Sequence, residues 1–298
     1  MNKIKNSTFG FMLVLPSILL MIVVALFPLI YALGISFTKW SVGSAPFSNF
    51  NGFKNYATVF ADGRFWDSVY TTIIYALMTV PFQLLLGLVI ALLLNREMYF
   101  QKIFRSAILI PMMITPVIVG VLWKLIFDVK YGILNYFLES IGLEPQLWLA
   151  HQSTALWSVA IADIWANTPF IVLLVLAALQ SIPHDIYEAS SVDGANKWDD
   201  LLYITLPHIK TALIIGAIFR LIDSLRTFDY IYIMTQGANG PENIVIYTFM
   251  NGFRFFEMGE TAAQSYILLI LTVICTLPLM KFLFKGMEGG LADAKQKA

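Results

Sequence analysis

The chain has 298 residues, of which 58% are apolar, 14% aromatic and 13% charged, with a mean hydropathy of +0.74. Soluble domains carry roughly twice that charged fraction, so water is the wrong solvent for most of this sequence. The formal net charge of zero gives no sign of nucleic-acid or acidic-substrate binding, and the lone Cys275 excludes an internal disulfide and argues against a metal cluster.

Taken in chain order, Lys3 and Lys5 precede an apolar run from about Phe9 to Phe37. It is too long for a secretory signal and lacks a small-residue cleavage site, so it reads as an uncleaved first span. Further runs lie near Val69 to Leu94, Ser106 to Phe127, Thr154 to Gln180, Thr211 to Thr235 and Ala262 to Phe284. Each is long enough for a hydrocarbon core of roughly 30 Å, which needs about twenty helical residues. Unbroken runs are not the alternating pattern of barrel strands. The expectation is an all-α, polytopic membrane protein of six transmembrane helices, forming one domain over residues 1–298.

Basic residues in the connections set the orientation. With the N-terminus inside, the cytoplasmic set is Lys3, Lys5, Arg96, Lys102, Arg105, Lys197, Lys210, Lys281, Lys285, Lys295 and Lys297. The opposite set is Lys39, Lys54, Arg64, Lys130 and Arg254. The majority places both termini, and the connection 181–210, in the cytoplasm. The outer connections, roughly 38–68, 128–153 and 236–261, are rich in aromatic residues and glycine and are candidates for contact with an external partner. The tail from Gly286 is short and polar, with no domain of its own.

Connection 181–210 is a polar island with a built-in bend. Ser181 and Pro183 suit the first turn of a short helix and Gly194 its left-handed end; Asn196, with Asp199 three residues on, can cap a second helix, which Pro207 closes. The product is a helix-bend-helix too small to fold on a core of its own, and rigid enough to serve as a handle.

Glu188-Ala189, then Gly194 after four more residues, then Ile204 and Leu206-Pro207 resemble the EAA loop of the membrane subunits of binding-protein-dependent ABC importers. The spacing has no gap, and Ser190 is the one departure, where alanine is usual. The resemblance implies a type I importer permease fold in which this loop is the coupling helix seated in a cleft of a separate ATPase. Glu188, Ala189, Ser190, Asp193, Gly194, Ile204, Leu206 and Pro207 are then the coupling residues.

Polar residues inside spans are costly and face a cavity or a partner. In the fifth span Arg220, Asp223, Arg226 and Asp229 recur every three residues, within pairing reach of one another. They form either a self-neutralising ladder that holds helices together or, with Ser224 and Thr227, the lining of a hydrophilic pathway. In the fourth span Asp163, Asn167 and Phe170 share a face, with Trp165 close by and Pro169 weakening the backbone ladder. This set suits a sugar, whose hydroxyls seek polar partners while its C–H faces stack on rings; it equally suits a helix–helix polar contact. Trp123 and Lys124 read as an interfacial anchor. No G-x-x-x-x-G-K-[ST] phosphate loop occurs, and His151, His184 and His208 are scattered without a metal-ligand pattern, so catalysis is not indicated.

The Trp165-Ala-Asn-Thr-Pro169-Phe170 stretch, the Ser181-Ile-Pro183 approach and Thr235-Gln-Gly-Ala-Asn-Gly240-Pro241 look like the MalF-type carbohydrate-uptake permeases. The last stretch is longer than the usual T-x-G-G-P of that group. The resemblance implies that Met112, Asp163, Trp165, Asn167, Phe170, Arg220, Ser224 and Thr227 fall along a central cavity for a sugar, oligosaccharide or polyol. It also implies a multi-pass subunit of the cell inner (plasma) membrane with four further components. These are a second, MalG-like permease, a MalK-like ATPase dimer holding the ATP and Mg, and an external solute-binding protein; no cofactor belongs to this chain. Two other readings stand beside it: the same architecture serving glycerol phosphate or an amino acid, and a secondary carrier acting alone.

Overall fold

A computed structural model describes the backbone of residues 3–43, 45, 47, 49–96, 98–235 and 240–296. Among the described residues all regular structure is helical, apart from one isolated bridge between Thr38 and Phe50. The helices are α1 (Lys3–Met21), α2 (Phe27–Ser36), α3 (Lys54–Ala61), α4 (Gly63–Leu94), α5 (Gln101–Met113), α6 (Pro116–Ile126), α7 (Ile133–Ser140), α8 (Gln152–Gln180), α9 (His184–Val192), α10 (Lys197–Asp199), α11 (Leu206–Leu225), α12 (Asp229–Thr235), α13 (Ile244–Phe253) and α14 (Met258–Gln296). Two π turns, Ile22–Leu26 and Asp200–Thr205, join α1 to α2 and α10 to α11.

Five helical segments are long and apolar enough to cross a membrane, and a bent pair brings the number to six. The pair corrects the expectation of a straight third span: α5 and α6 meet at 96°. The cause is local. Pro116 forces the preceding Thr115 out of the helical region, to φ −63° and ψ 144°, and leaves no N–H at the start of α6. The fifth span is likewise interrupted, at Arg226–Phe228 between α11 and α12. The outer connections are not wholly irregular, because α3, α7 and α13 lie in or beside them. The final helix continues through Gly286 to Gln296.

The contacts divide the chain into two units. The first comprises residues 1–66 and 247–270. In it Phe9–Ser36 is apolar all round, with none of its most apolar stretch buried. Asn55 is buried and donates to the carbonyls of Ser36 and Thr38, both at 2.8 Å. Gly259 packs so tightly here that a Cβ would lie 2.2 Å from the Thr38 carbonyl oxygen. The Tyr247 hydroxyl donates to Asp62 at 2.6 Å, and burial together with that carboxylate pushes the phenol well above its ordinary range.

The second unit, residues 67–246 and 271–298, holds the helix bundle. Its core includes Ala91, Ile171, Val175, Leu179 and Ile209, from α4, α8 and α11. Gly87 lets α4 and α8 approach closely: a Cβ there would lie 2.4 Å from Ile171 Cγ2. A Cβ on Gly216 of α11 would meet the Cδ1 of the same isoleucine at 2.9 Å. Small residues at the crossings let apolar helices pack where lipid offers no hydrophobic drive.

Candidate functional site

Two features of the second unit carry the polar chemistry: the elbow between the fourth and fifth spans, and a charged cavity among α6, α8, α11 and α12.

The elbow starts where Ser181 ends α8, its hydroxyl donating to the Ala178 carbonyl at 2.7 Å. This corrects its expected place in the next helix. Pro183, extended at φ −60° and ψ 140°, is the N-cap of α9. Gly194 follows α9 at φ +83° with open space around it, as expected of a left-handed end, and the Ala195 N–H returns to the Ser190 carbonyl at 3.1 Å. The Asn196 capping box is present. Asn196 Oδ1 accepts from the N–H groups of Trp198 (2.8 Å) and Asp199 (3.2 Å), and Asp199 Oδ2 accepts from the Asn196 N–H at 3.0 Å.

Pro207 does not close a helix. Lys197–Leu225 is continuous, and Pro207 stands in the first turn of α11 directly after the π turn. The wider turn of Asp200–Thr205 and the first-turn position together remove the conflict that a mid-helix proline creates. Glu188, Ala189, Asp193 and Gly194 are exposed on the elbow, whereas Ile204 and Leu206 are half-buried. Val192 and Trp198 are 86% and 71% exposed, an apolar presentation on an otherwise polar loop. Leu206 and Pro207 also border a cleft with Lys210, whose ammonium lies 4.4 Å from the centre of the Phe282 ring.

The cavity, of about 240 Å³, is lined by Asp163 and Asn167 of α8, Arg220 and Asp223 of α11, and the segment from Arg226 to Tyr230, with Pro116 opposite. Asp163 is fully buried and Arg220 is 4% exposed, and they pair at 3.0 Å. Arg220 also reaches Asp223 at 3.1 Å and donates through Nε to Gln83 Oε1 at 2.8 Å. The second Asp163 oxygen accepts from the Tyr75 hydroxyl at 2.7 Å, while Asn167 donates to the first at 2.6 Å. Each buried charge therefore has both an opposite charge and neutral hydrogen-bond partners.

The expected ladder is half formed. Arg220 pairs with Asp223, but the helix ends before Arg226, and Arg226 makes no ion pair among the described residues. Of the eight candidate pathway residues, Asp163, Asn167, Arg220 and Thr227 line this cavity. Ser224 is buried behind it, 2.8 Å from the Thr79 hydroxyl. Trp165 faces a separate apolar cleft of about 710 Å³, edge-on to Trp123 at 5.8 Å. Phe170 packs edge-on against Phe219 at 6.0 Å, and Met112 is exposed on α5. Lys124 reaches the Ile233 carbonyl at 3.5 Å.

Tyr75 and Gln83 are the partners that sequence reasoning missed. Gln83, a lone amide in an apolar run, carried the signal. Residues 236–239 of the stretch after the fifth span lie outside the described residues. Among the described residues no group of three or more His, Cys, Asp or Glu side chains could hold a metal.

A multi-span helical bundle, with its third and fifth spans broken beside a charged cavity and an exposed polar elbow between its fourth and fifth, defines a transport subunit of the importer-permease class. Residues 56–288 match the family described as "Binding-protein-dependent transport system inner membrane component", and the chain belongs to that family. It is 39% identical over 277 residues to a probable ABC transporter permease protein, y4oQ, of Sinorhizobium fredii, covering 91% of this chain and 89% of the relative. It is 34% identical to the trehalose/maltose transport system permease protein MalF of Thermococcus litoralis, covering 91% of each. The fold is similar to a chain of a bacterial ABC transporter involved in import of the acidic polysaccharide alginate, at 23% identity and a TM-score of 0.84, covering 95% of this chain and 97% of that one.

Proposed function

We propose that this chain is the permease subunit of an ABC importer that brings a sugar, oligosaccharide or polyol across the cell inner membrane. The observation that carries the proposal is the exposed elbow, with Gly194 at φ +83° and a closed capping box, at the spacing of the EAA loop. Glu188, Ala189, Ser190, Asp193 and Gly194, with Ile204, Leu206 and Pro207 at the root, are the coupling residues. ATP and Mg belong to a separate ATPase dimer, which grips this loop from the cytoplasm, where both termini also lie. A second permease completes the pathway, and a solute-binding protein delivers the solute from outside.

Membership of the family supports the importer architecture. The names of the Thermococcus relative and of the Agrobacterium fabrum sulfoquinovosyl glycerol permease, 33% identical over 267 residues, support carbohydrate as the solute class. Asp163, Asn167, Arg220 and Thr227 stand on the solute pathway, with Trp165, Phe170, Met112 and Ser224 around it. ATP-driven closure of the ATPase moves the elbow, and the helices that meet at the cavity change their opening from one side to the other.

The test is purification of the tagged chain with its co-expressed components, followed by vesicle uptake of whichever sugar its cognate binding protein binds in calorimetry. Co-purification of an ATPase and ATP-dependent uptake are expected. A lone chain with full activity, or labelling of the new thiol of a Trp198→Cys variant from outside the cell only, overturns the proposal.

A further inference from the structure

We propose that Ser190 and Tyr187 are positioning residues that clamp the elbow to the fifth span, so that a displacement of α9 arrives undiminished at Arg220. The inference rests on the coupling role given to the elbow above. Ser190 donates to Asp200 Oδ1 at 2.5 Å, and the Tyr187 hydroxyl lies 3.0 Å from Thr205 Oγ1. Asp200 and Thr205 are the first and last residues of the π turn. The two bonds thus run from one short helix to both ends of the same turn.

That turn is the weak joint of the elbow. A π turn closes a wider ring than an α turn and interrupts the regular ladder. Two residues beyond its end, Pro207 removes another backbone donor. A load on α9 would bend the chain there before it moved α11. Beyond the joint the chain is stiff: from Thr205 to Arg220 it is one uninterrupted helix, about 22 Å long at 1.5 Å per residue. Arg220 ends that strut inside the charged cavity, tied to Asp163, Asp223 and Gln83. Side-chain bonds at both ends of the soft turn convert joint and strut into one lever.

Ser190 occupies the position where the sequence departs from alanine. The hydroxyl is the only functional difference between the two side chains, and it is engaged with a carboxylate oxygen rather than left to solvent. Tyr187 contributes through its hydroxyl to a buried Thr205. Neither residue needs to touch the ATPase for this role.

The test uses the whole importer, this permease with its partner permease and ATPase, in lipid vesicles without solute or binding protein. The rate read is resting ATP hydrolysis. A loosened joint frees the ATPase from the resting permease, so Ser190→Ala is expected to raise that rate roughly two- to twelvefold, the change in an equilibrium constant that one net hydrogen bond produces. Ser190→Thr, which keeps the hydroxyl, is expected to stay at the wild-type rate, and Ser190→Ala combined with Tyr187→Phe to exceed Ser190→Ala alone. Co-purification of the ATPase with Ser190→Ala in the wild-type amount is expected, and separates a loosened joint from a misfolded complex. A wild-type rate in Ser190→Ala, or an equal rise in Ser190→Thr, overturns the clamp while leaving the importer reading intact. A wild-type chain that binds no ATPase overturns both.

Discussion

Arg220 and Asp163 join the fifth and fourth spans through a 3.0 Å ion pair that is almost wholly shielded from solvent. Removing one member strands the other charge in an apolar setting, which costs about 3–5 kcal/mol where such pairs have been broken. Arg220→Ala is therefore expected to lower the thermal stability of the purified complex sharply. Arg220→Met with Asp163→Leu should recover most of that stability, because neither charge remains, yet should not recover uptake. Differential scanning measurements on the three complexes beside vesicle uptake check this.

Gly194 stands at φ +83° with nothing within 4 Å of the place a Cβ would occupy. The obstacle to substitution is therefore conformational and not steric crowding by neighbours. Gly194→Val forces a β-branched residue into the left-handed region, at a cost of at least about 1–2 kcal/mol. We expect the variant to reach the membrane but to lose coupled uptake, with Gly194→Asn retaining much of it. Uptake per ATP hydrolysed is the measurement.

Gly87 and Ile171 meet at a close crossing of α4 and α8, where a Cβ on the glycine would lie 2.4 Å from Ile171 Cγ2. Gly87→Ala should destabilise the bundle by about 1–3 kcal/mol through overpacking. Ile171→Ala placed in the same chain should relieve the clash, so the pair should be less harmful than the sum of the singles. A double-mutant cycle in thermal melting reads the coupling.

Asp128, in the exposed turn between α6 and α7, accepts from the N–H groups of Tyr131 (2.8 Å) and Lys130 (2.9 Å), which hold its carboxyl below the usual range. A group whose folded value is depressed stabilises fully above its unfolded value and loses that contribution as pH falls through the folded one. Hydrogen exchange at the Tyr131 and Lys130 amides should therefore be slowest near neutrality, after correction for intrinsic rates. Protection should fall below about pH 4, the ordinary aspartate range. Asp128→Asn should flatten that profile.

Much of the elbow was legible because its signals are local. A glycine at a helix end and an Asn with Asp three residues on depend on the backbone of a few residues, and both formed as expected. Pro207 was misread because a proline just inside a helix start and one just past a helix end have the same appearance in a string of letters. The adjoining π turn, which decides between them, has no residue signature. Hydropathy found the third crossing but reports composition, not direction; Thr115 before Pro116 was the available sign of the bend. In the cavity Asp163, Asn167 and Arg220 stood out as polar residues in apolar runs. The contacts of Asp163 and Arg220 with Tyr75 and Gln83 span 80 to 137 positions of chain, a distance over which periodicity carries no information.

The π turn at Asp200–Thr205 also makes the elbow's bearing a matter of arithmetic. Each helical residue advances the chain by about 100° around the axis, and a π turn accommodates one residue more than an α turn. Deleting one residue from this hexad would therefore leave an ordinary α-helix on nearly the same bearing, whereas deleting one from the regular helix of α11 would swing everything upstream by about a quarter of a circle relative to the far end of the strut. Glu188 and Gly194 would keep their identities and their local shape, and would point at the wrong wall. The aim of the proposed coupling surface is thus stored in a residue count, where no inspection of side-chain chemistry would find it.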